Sequence, residues 1–180
     1  LFHEKIPANY DSVVMMGLWR FQDDKEPDFI VLNNGKWGVI DIKNNVKMQP
    51  EYSVLIDLGE FGGLAAKKDK FAFVRTDSLP VTPFIYDTIY SEWSQSNFVV
   101  VKDKKIGLMV DNGKMIVKPS LDEATRTSTY GCRCVKMNGK YAVLSSRGKN
   151  LSGFVYDDFK PYQQVHDEML FKKNGKWGFF

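Results

Sequence analysis

A lysine followed by a large apolar residue and then a small one returns five times along the chain. Lys36-Trp37-Gly38 is followed by Lys70-Phe71-Ala72, Lys105-Ile106-Gly107, Lys140-Tyr141-Ala142 and Lys176-Trp177-Gly178. The steps between these lysines are 34, 35, 35 and 36 residues, a period of the kind that marks repeat architectures. A unit this short cannot bury its apolar face alone, so neighbouring copies must stack to make a core.

Other columns keep the same period. Six residues before each anchor lysine stand Ile30, Leu64, Val99, Cys134 and Leu170. The position after the large apolar residue is always Gly or Ala, which implies that a backbone or a large ring packs closely there. Within a copy, two apolar stretches are joined by Asn34-Gly35, Asn138-Gly139 or Asn174-Gly175. Asn-Gly between β-rich runs is the strongest short-range hairpin signal, because both central residues of a type I′ turn need positive φ. Copies two and three place Lys68-Asp69 and Asp103-Lys104 there, a weaker signal.

A second turn follows near Asn44-Asn45, Asp77-Ser78, Asn112-Gly113 and Arg147-Gly148. A third short strand then ends near Pro50, Pro83, Pro119 and Gly153. Tyr52, Tyr86, Leu121 and Tyr156 come next, usually followed by an acidic residue. Each copy reads as three short antiparallel strands, or four if the segment after the Tyr pairs. No helical periodicity exceeds two turns, and residues 1–180 read as a single all-β repeat domain.

The Lys-Trp-Gly phrase, the Asn-Gly turn before it and the Pro-x-Tyr-Asp stretch after it resemble the WG-containing repeat of bacterial proteins. The resemblance runs from about Ile6 to Phe180. It is specific in copies one and five and degraded in copies two to four, where Phe71, Ile106 and Tyr141 replace Trp. It implies a β-rich fold and supplies no set of catalytic residues.

At the start of the chain, Ile6-Pro7 and Tyr10-Asp11 match the ends of third strands elsewhere, whereas the last copy stops in a second strand at Phe180. The expected architecture is a five-bladed β-propeller closed by the N-terminal strand, which removes two exposed sheet edges. An open β-hairpin array or solenoid is the alternative. The first copy is also longer than the rest: Pro7 to Lys36 spans 29 residues, against 20 to 23 later. The surplus falls at about residues 15–28, with Trp19-Arg20 and the acidic residues Asp23, Asp24, Glu26 and Asp28. Such an insertion reads as a surface loop, functional or merely tolerated.

Catalytic chemistry is poorly represented. The acidic residues of the insertion lack the Asp-x-Asp-x-Asp-Gly order of a calcium loop, and neither a metal nor a cofactor is expected. The two histidines, His3 and His166, sit in no catalytic motif, and a Cys132–His166 nucleophile has no supporting signature. Cys132 and Cys134 share one face of a strand, an awkward geometry for a mutual disulfide, and read as small buried hydrophobes. The chain is therefore not read as an enzyme. Its longest apolar run, residues 13–19, falls short of the roughly 20 residues of a membrane-spanning helix. It begins at Leu1, so a signal peptide or anchor could precede it, and the cell envelope or secretion is placed ahead of the cytoplasm.

Charge is unevenly spread. The hairpin tips at 32–36, 66–70, 101–105, 136–140 and 172–176 hold 12 Lys and 2 Asp, while the remaining residues carry 13 basic and 20 acidic groups. Two functional readings follow. One is a non-catalytic binding or scaffold module that meets a protein through loops and exposed aromatics such as Trp19, Arg20 and Trp93. The other is a binder of anionic polymers or surfaces through a rim formed by Lys36, Lys70, Lys105, Lys140 and Lys176. A solvated rim, whose lysines lay their methylenes over apolar neighbours, explains the same charge without a ligand.

Overall fold

The computed structural model describes residues 6–17, 26–59, 63–76, 80–91, 97–126, 132–161 and 169–179. Trp19, Arg20, Trp93, His3 and His166 lie outside them. The strands form five antiparallel sheets of three or four strands, and no helix occurs among the described residues. The chain divides into two compact units: residues 1–91 with 111–113, and residues 92–110 with 114–180.

In the first unit, β1 (Ser12–Met15), β2 (Asp28–Asn33), β3 (Lys36–Asp41) and β4 (Val46–Tyr52) form one sheet in that order. A second sheet holds β5 (Val54–Asp57), β6 (Gly63–Lys67) and β7 (Phe71–Arg75), and β8 (Thr88–Ser91) follows. Their core gathers Met16, Ile30, Val39, Met48, Leu55, Leu64 and Val74, with Tyr52 stacked on Phe84. In the second unit, β9 (Asn97–Lys102), β10 (Lys105–Val110) and β11 (Met115–Leu121) run as a meander. β12 (Glu123–Arg126), β13 (Arg133–Met137) and β14 (Lys140–Leu144) form the next sheet. β15 (Asp158–Pro161), β16 (Met169–Lys173) and β17 (Lys176–Phe179) form the last. One core cluster joins the β9–β11 meander to β12–β14 through Val99, Leu108, Leu121, Val135 and Leu144. Another joins β12–β14 to the last sheet through Cys134, Val143, Met169 and Phe171.

The hairpin turns obey their local chemistry. Asn34-Gly35, Asn138-Gly139 and Asn174-Gly175 all have positive φ at both positions, as a type I′ turn requires. Asp103 and Lys104 adopt the same left-handed pair, at φ 52° and 62°, without a glycine. Copy three therefore holds a residue with a Cβ where glycine is least strained.

The open question of a fourth strand is answered by pairing: the segment after the Tyr column is the first strand of the next sheet, as in β5, β12 and β15. The expectation of a third strand in every copy is corrected. Copies one and three form it fully, as β4 and β11; among the described residues copy two makes the isolated bridge Phe71↔Tyr86 and copy four the isolated bridges Tyr141↔Tyr156 and Leu144↔Asn150. The small residue explains the difference. At Gly38 an added Cβ would lie 2.6 Å from the Met48 carbonyl oxygen and 2.8 Å from the Pro50 nitrogen; at Gly107 it would lie 2.8 Å from the Val117 carbonyl oxygen. The outer strand bulges inward at both places. Copies two and four carry Ala, whose Cβ forbids that approach. There the Phe73 and Val143 carbonyls still accept backbone N–H groups of the outer segment, from Thr82 and Leu151, but a hydroxyl takes the inner N–H: Phe73 N–H donates to Thr82 Oγ1 at 2.9 Å and Val143 N–H to Ser152 Oγ at 2.8 Å.

The insertion is narrower than expected. Met15 ends β1, Met16 is a core residue at 2% exposure, and Asp28 opens β2, where its buried carboxylate meets Lys47 Nζ at 2.7 Å. Only 18–25 of that stretch lie outside the described residues.

Gly107→Ala is expected to destabilise the protein by about 1–3 kcal/mol through a clash with backbone. Lys104→Gly is expected to stabilise it by roughly 0.5–1 kcal/mol by relieving the left-handed turn. Denaturant midpoints measure both; equal midpoints for Gly107→Ala and wild type would refute the account of the outer strand.

Candidate interaction rim

The anchor lysine begins the strand after each hairpin tip, and the large apolar residue beside it faces a fixed partner. Trp37 pairs with Tyr52, Phe71 with Tyr86, Ile106 with Leu121 and Tyr141 with Tyr156. The residue after that partner stands next to the anchor lysine. In three copies it is an aspartate, and it forms an ion pair: Lys70 with Asp87, Lys105 with Asp122 and Lys140 with Asp157.

Two of these aspartates do more. Asp122 Oδ2 also accepts the Asn138 N–H at 2.9 Å, and Asp157 Oδ2 accepts the Asn174 N–H at 2.8 Å. One carboxylate thus ties the lysine of one sheet to the Asn-Gly turn of the next. The tips at 103–104, 138–139 and 174–175 are held as neighbours on one side of the second unit. Lys105 holds the Asp122 carboxyl below its ordinary range, with the Asn138 amide adding to the effect; Lys140 and the Asn174 amide do the same to Asp157. Copy one has Ser53 in place of the aspartate. Its hydroxyl donates to the Lys67 and Lys68 carbonyls, at 3.0 and 3.1 Å, and Lys36 makes no ion pair among the described residues.

Other tip lysines are also engaged. Lys68 pairs with Glu51 at 3.1 Å and Lys136 with Glu123 at 2.9 Å. Ammonium groups lie over rings as well: Lys67 over Phe71, Lys68 over Tyr52 and Phe84, Lys136 over Tyr141 and Lys172 over Trp177, at 4.9–5.9 Å from the centroids. Such contacts are favourable at exposed sites. Among the described residues, ion pairs are absent at Lys36, Lys102, Lys104, Lys173 and Lys176. The anchor lysines named from sequence therefore divide: Lys70, Lys105 and Lys140 are bound to the chain's own carboxylates, and Lys36 and Lys176 are not.

The cysteines make no disulfide. Burial, then the nearby Glu123 charge, pushes the Cys134 thiol up to about 12, so it stays protonated at neutral pH. No group of three or more His, Cys, Asp or Glu side chains that could hold a metal occurs among the described residues. No helix among them is long and apolar enough to cross a membrane.

Sequence reading missed the constant step of 17 residues from Lys70, Lys105 and Lys140 to Asp87, Asp122 and Asp157. The acidic residue after the Tyr column is visible in the sequence, but its pairing with the lysine is not.

Residues 107–141 match the family model of the WG containing repeat. That match covers one period, from Gly107 to Tyr141, and is to the same repeat that the Lys-Trp-Gly phrases resemble. No curated protein matches the chain. Among solved structures, it is similar to a chain from the crystal structure of BBS1N in complex with ARL6DN, soaked with lead. That likeness has 12% identity and a TM-score of 0.33, covering 98% of this chain and 65% of the other.

The depressed carboxyls fix a pH dependence. A carboxyl with a lowered folded-state pKa adds stability that is present above its unfolded value and lost as pH falls through the folded one. An Asp122→Asn/Asp157→Asn variant is expected to be less stable than wild type at pH 7. The gap should shrink as pH falls through and below about 3.9. Melting curves across pH check this, and a gap independent of pH would refute it.

Proposed function

We propose that the chain is a non-catalytic binding or scaffold module that recognises a protein partner through its loops. The observation that supports this is the link from anchor lysine to aspartate to the next hairpin turn. The most regular positive charge of the repeat serves cohesion between neighbouring sheets, because Lys70, Lys105 and Lys140 meet the chain's own carboxylates. Recognition then falls to the variable segments, which include Trp19, Arg20 and Trp93.

A second reading has its own support. Lys102, Lys104, Lys173 and Lys176 in the second unit have no ion pair among the described residues, and an anionic polymer or surface is the partner that would match them. Heparin chromatography separates the two. A protein-binding module is expected to elute below about 0.2 M salt, because multi-phosphate contacts depend steeply on salt. Retention well beyond that, lost in Lys173→Glu/Lys176→Glu, would overturn the first reading in favour of the second.

The finer architecture we propose is a five-bladed β-propeller closed by the N-terminal strand, which Ile6-Pro7 and Tyr10-Asp11 follow as their counterparts do elsewhere. Two features support it. Tyr10-Asp11 has the residue pair that ends the bridged outer segments of copies two and four, Tyr86-Asp87 and Tyr156-Asp157. Residues 7–10 also make the same tight turn as 83–86: Asn9 N–H donates to the Pro7 carbonyl at 2.8 Å, as Ile85 N–H does to Pro83 at 3.0 Å. Tyr10→Ala is expected to lower the melting temperature by several degrees, as Tyr86→Ala should. An unchanged melting temperature for Tyr10→Ala alone would refute closure and leave the open array.

A further inference from the structure

Three hairpin tips share the dipeptide Asn-Gly, and their surroundings differ. Asn34-Gly35, Asn138-Gly139 and Asn174-Gly175 each close a two-residue turn, between the paired residues Asn33 and Lys36, Met137 and Lys140, and Lys173 and Lys176. Both positions of every turn are left-handed, and all six residues are exposed. Nothing lies within 4 Å of the place a Cβ would take on any of these three glycines. At the fourth Asn-Gly of the chain, Asn112-Gly113, the same place is 2.3 Å from Val81.

The difference lies in what holds the Asn N–H. Asp122 Oδ2 accepts it from Asn138 at 2.9 Å, and Asp157 Oδ2 accepts it from Asn174 at 2.8 Å. Among the described residues the Asn34 N–H meets no carboxylate, and Lys36, two positions on, has no ion pair.

An Asn before glycine is open to attack on its own side chain, because glycine puts no Cβ beside its nitrogen. The glycine nitrogen gives up its proton and bonds to the Asn Cγ. The side-chain amide leaves as ammonia, and a five-membered succinimide remains. Water then adds across one of the two carbonyl bonds to that nitrogen. The product is an aspartate or, with one more methylene in the backbone, an isoaspartate, and no oxidant or reductant is consumed. In a type I′ turn the Asn Cβ and the glycine nitrogen lie on opposite sides of the Cα–C bond, so attack waits until the turn opens. A carboxylate on the Asn N–H resists that opening, and its charge disfavours loss of the amide proton. We propose that Asn34-Gly35 is a site of spontaneous succinimide formation, and that Asp122 and Asp157 protect the equivalent tips of copies four and five. The reaction places a new carboxylate beside Lys36, in the copy that has Ser53 where the next three have an aspartate.

Ageing of the full chain in mildly alkaline buffer, well below its melting temperature, tests this by peptide mapping and mass spectrometry. Asn34 is expected to convert first, about threefold or more ahead of Asn138 and Asn174, since an exposed charged link restrains a turn by only a modest amount. The first acidic form on ion exchange should be missing in Asn34→Ser. Asp122→Asn should raise the rate at Asn138 and leave Asn174 unchanged, and Asp157→Asn should do the reverse. That site-by-site pattern separates release of one tip from a general loss of stability, which would speed both tips in either variant. Equal rates at the three tips, or rates at Asn138 and Asn174 that ignore the two variants, would overturn the protection. Conversion at Asn34 no faster than at the packed Asn112-Gly113 would overturn the site itself.

Discussion

The carboxylate shared between an anchor lysine and the following hairpin turn is the contact on which the repeat depends. Each sheet has only three or four short strands and cannot bury its apolar face without its neighbours. Consecutive sheets must therefore be held at a fixed offset if their apolar faces are to merge into one core. Asp122 sets that offset at both ends, with one oxygen on Lys105 and the other on the Asn138 amide; Asp157 repeats the arrangement with Lys140 and Asn174. A single exposed ion pair contributes little. Here the same carboxylate also satisfies a turn amide, so it fixes position as well as lowering energy.

A second seam between copies is apolar. The turn glycines Gly113 and Gly148 lie against the preceding copy. A Cβ on Gly113 would come within 2.3 Å of Val81, and one on Gly148 within 2.0 Å of Ile116. Both have positive φ, so glycine is required there twice over, by conformation and by space. The repeat is thus joined by a polar seam at the hairpin tips and by a side-chain seam at the second turns, with the cores of Val, Leu and Ile between them.

Much of this was legible in the sequence because the period is steady and the turn chemistry is strict. The anchor spacing, the Asn-Gly tips and the core column through Ile30, Leu64, Val99 and Cys134 all describe the folded chain, whereas Leu170, the last of that column, is only half-buried. The alternation of copies was written there too, in Gly38 and Gly107 against Ala72 and Ala142. It is hard to see until backbone distances reveal that one methyl group decides whether an outer strand can approach. Thr82 and Ser152 were likewise unreadable, since a hydroxyl that replaces a ladder bond leaves no periodic trace. The Lys–Asp link was masked by its length: 17 residues is neither a strand nor a helix spacing, and only the hairpin geometry brings its ends together. Asp28 misled for the opposite reason. It sits in an acidic run that reads as solvated loop, yet the start of β2 carries it inward to Lys47.

Copy one shows what the repeat gives up when the carboxylate is missing. Ser53 keeps the backbone contact, since its N–H donates to the Lys67 carbonyl just as Asp122 donates to Lys136. Its hydroxyl then shares its one hydrogen between two carbonyls of the same tip. Position is preserved, but the charge of Lys36 is left unneutralised. Cohesion and charge are therefore separable: a polar side chain of either kind holds the next sheet, and only an acidic one silences the rim. A rim selected to bind polyanions would favour Ser at every copy, whereas three of the four complete copies carry Asp. That choice argues that the lysines are retained for joining sheets.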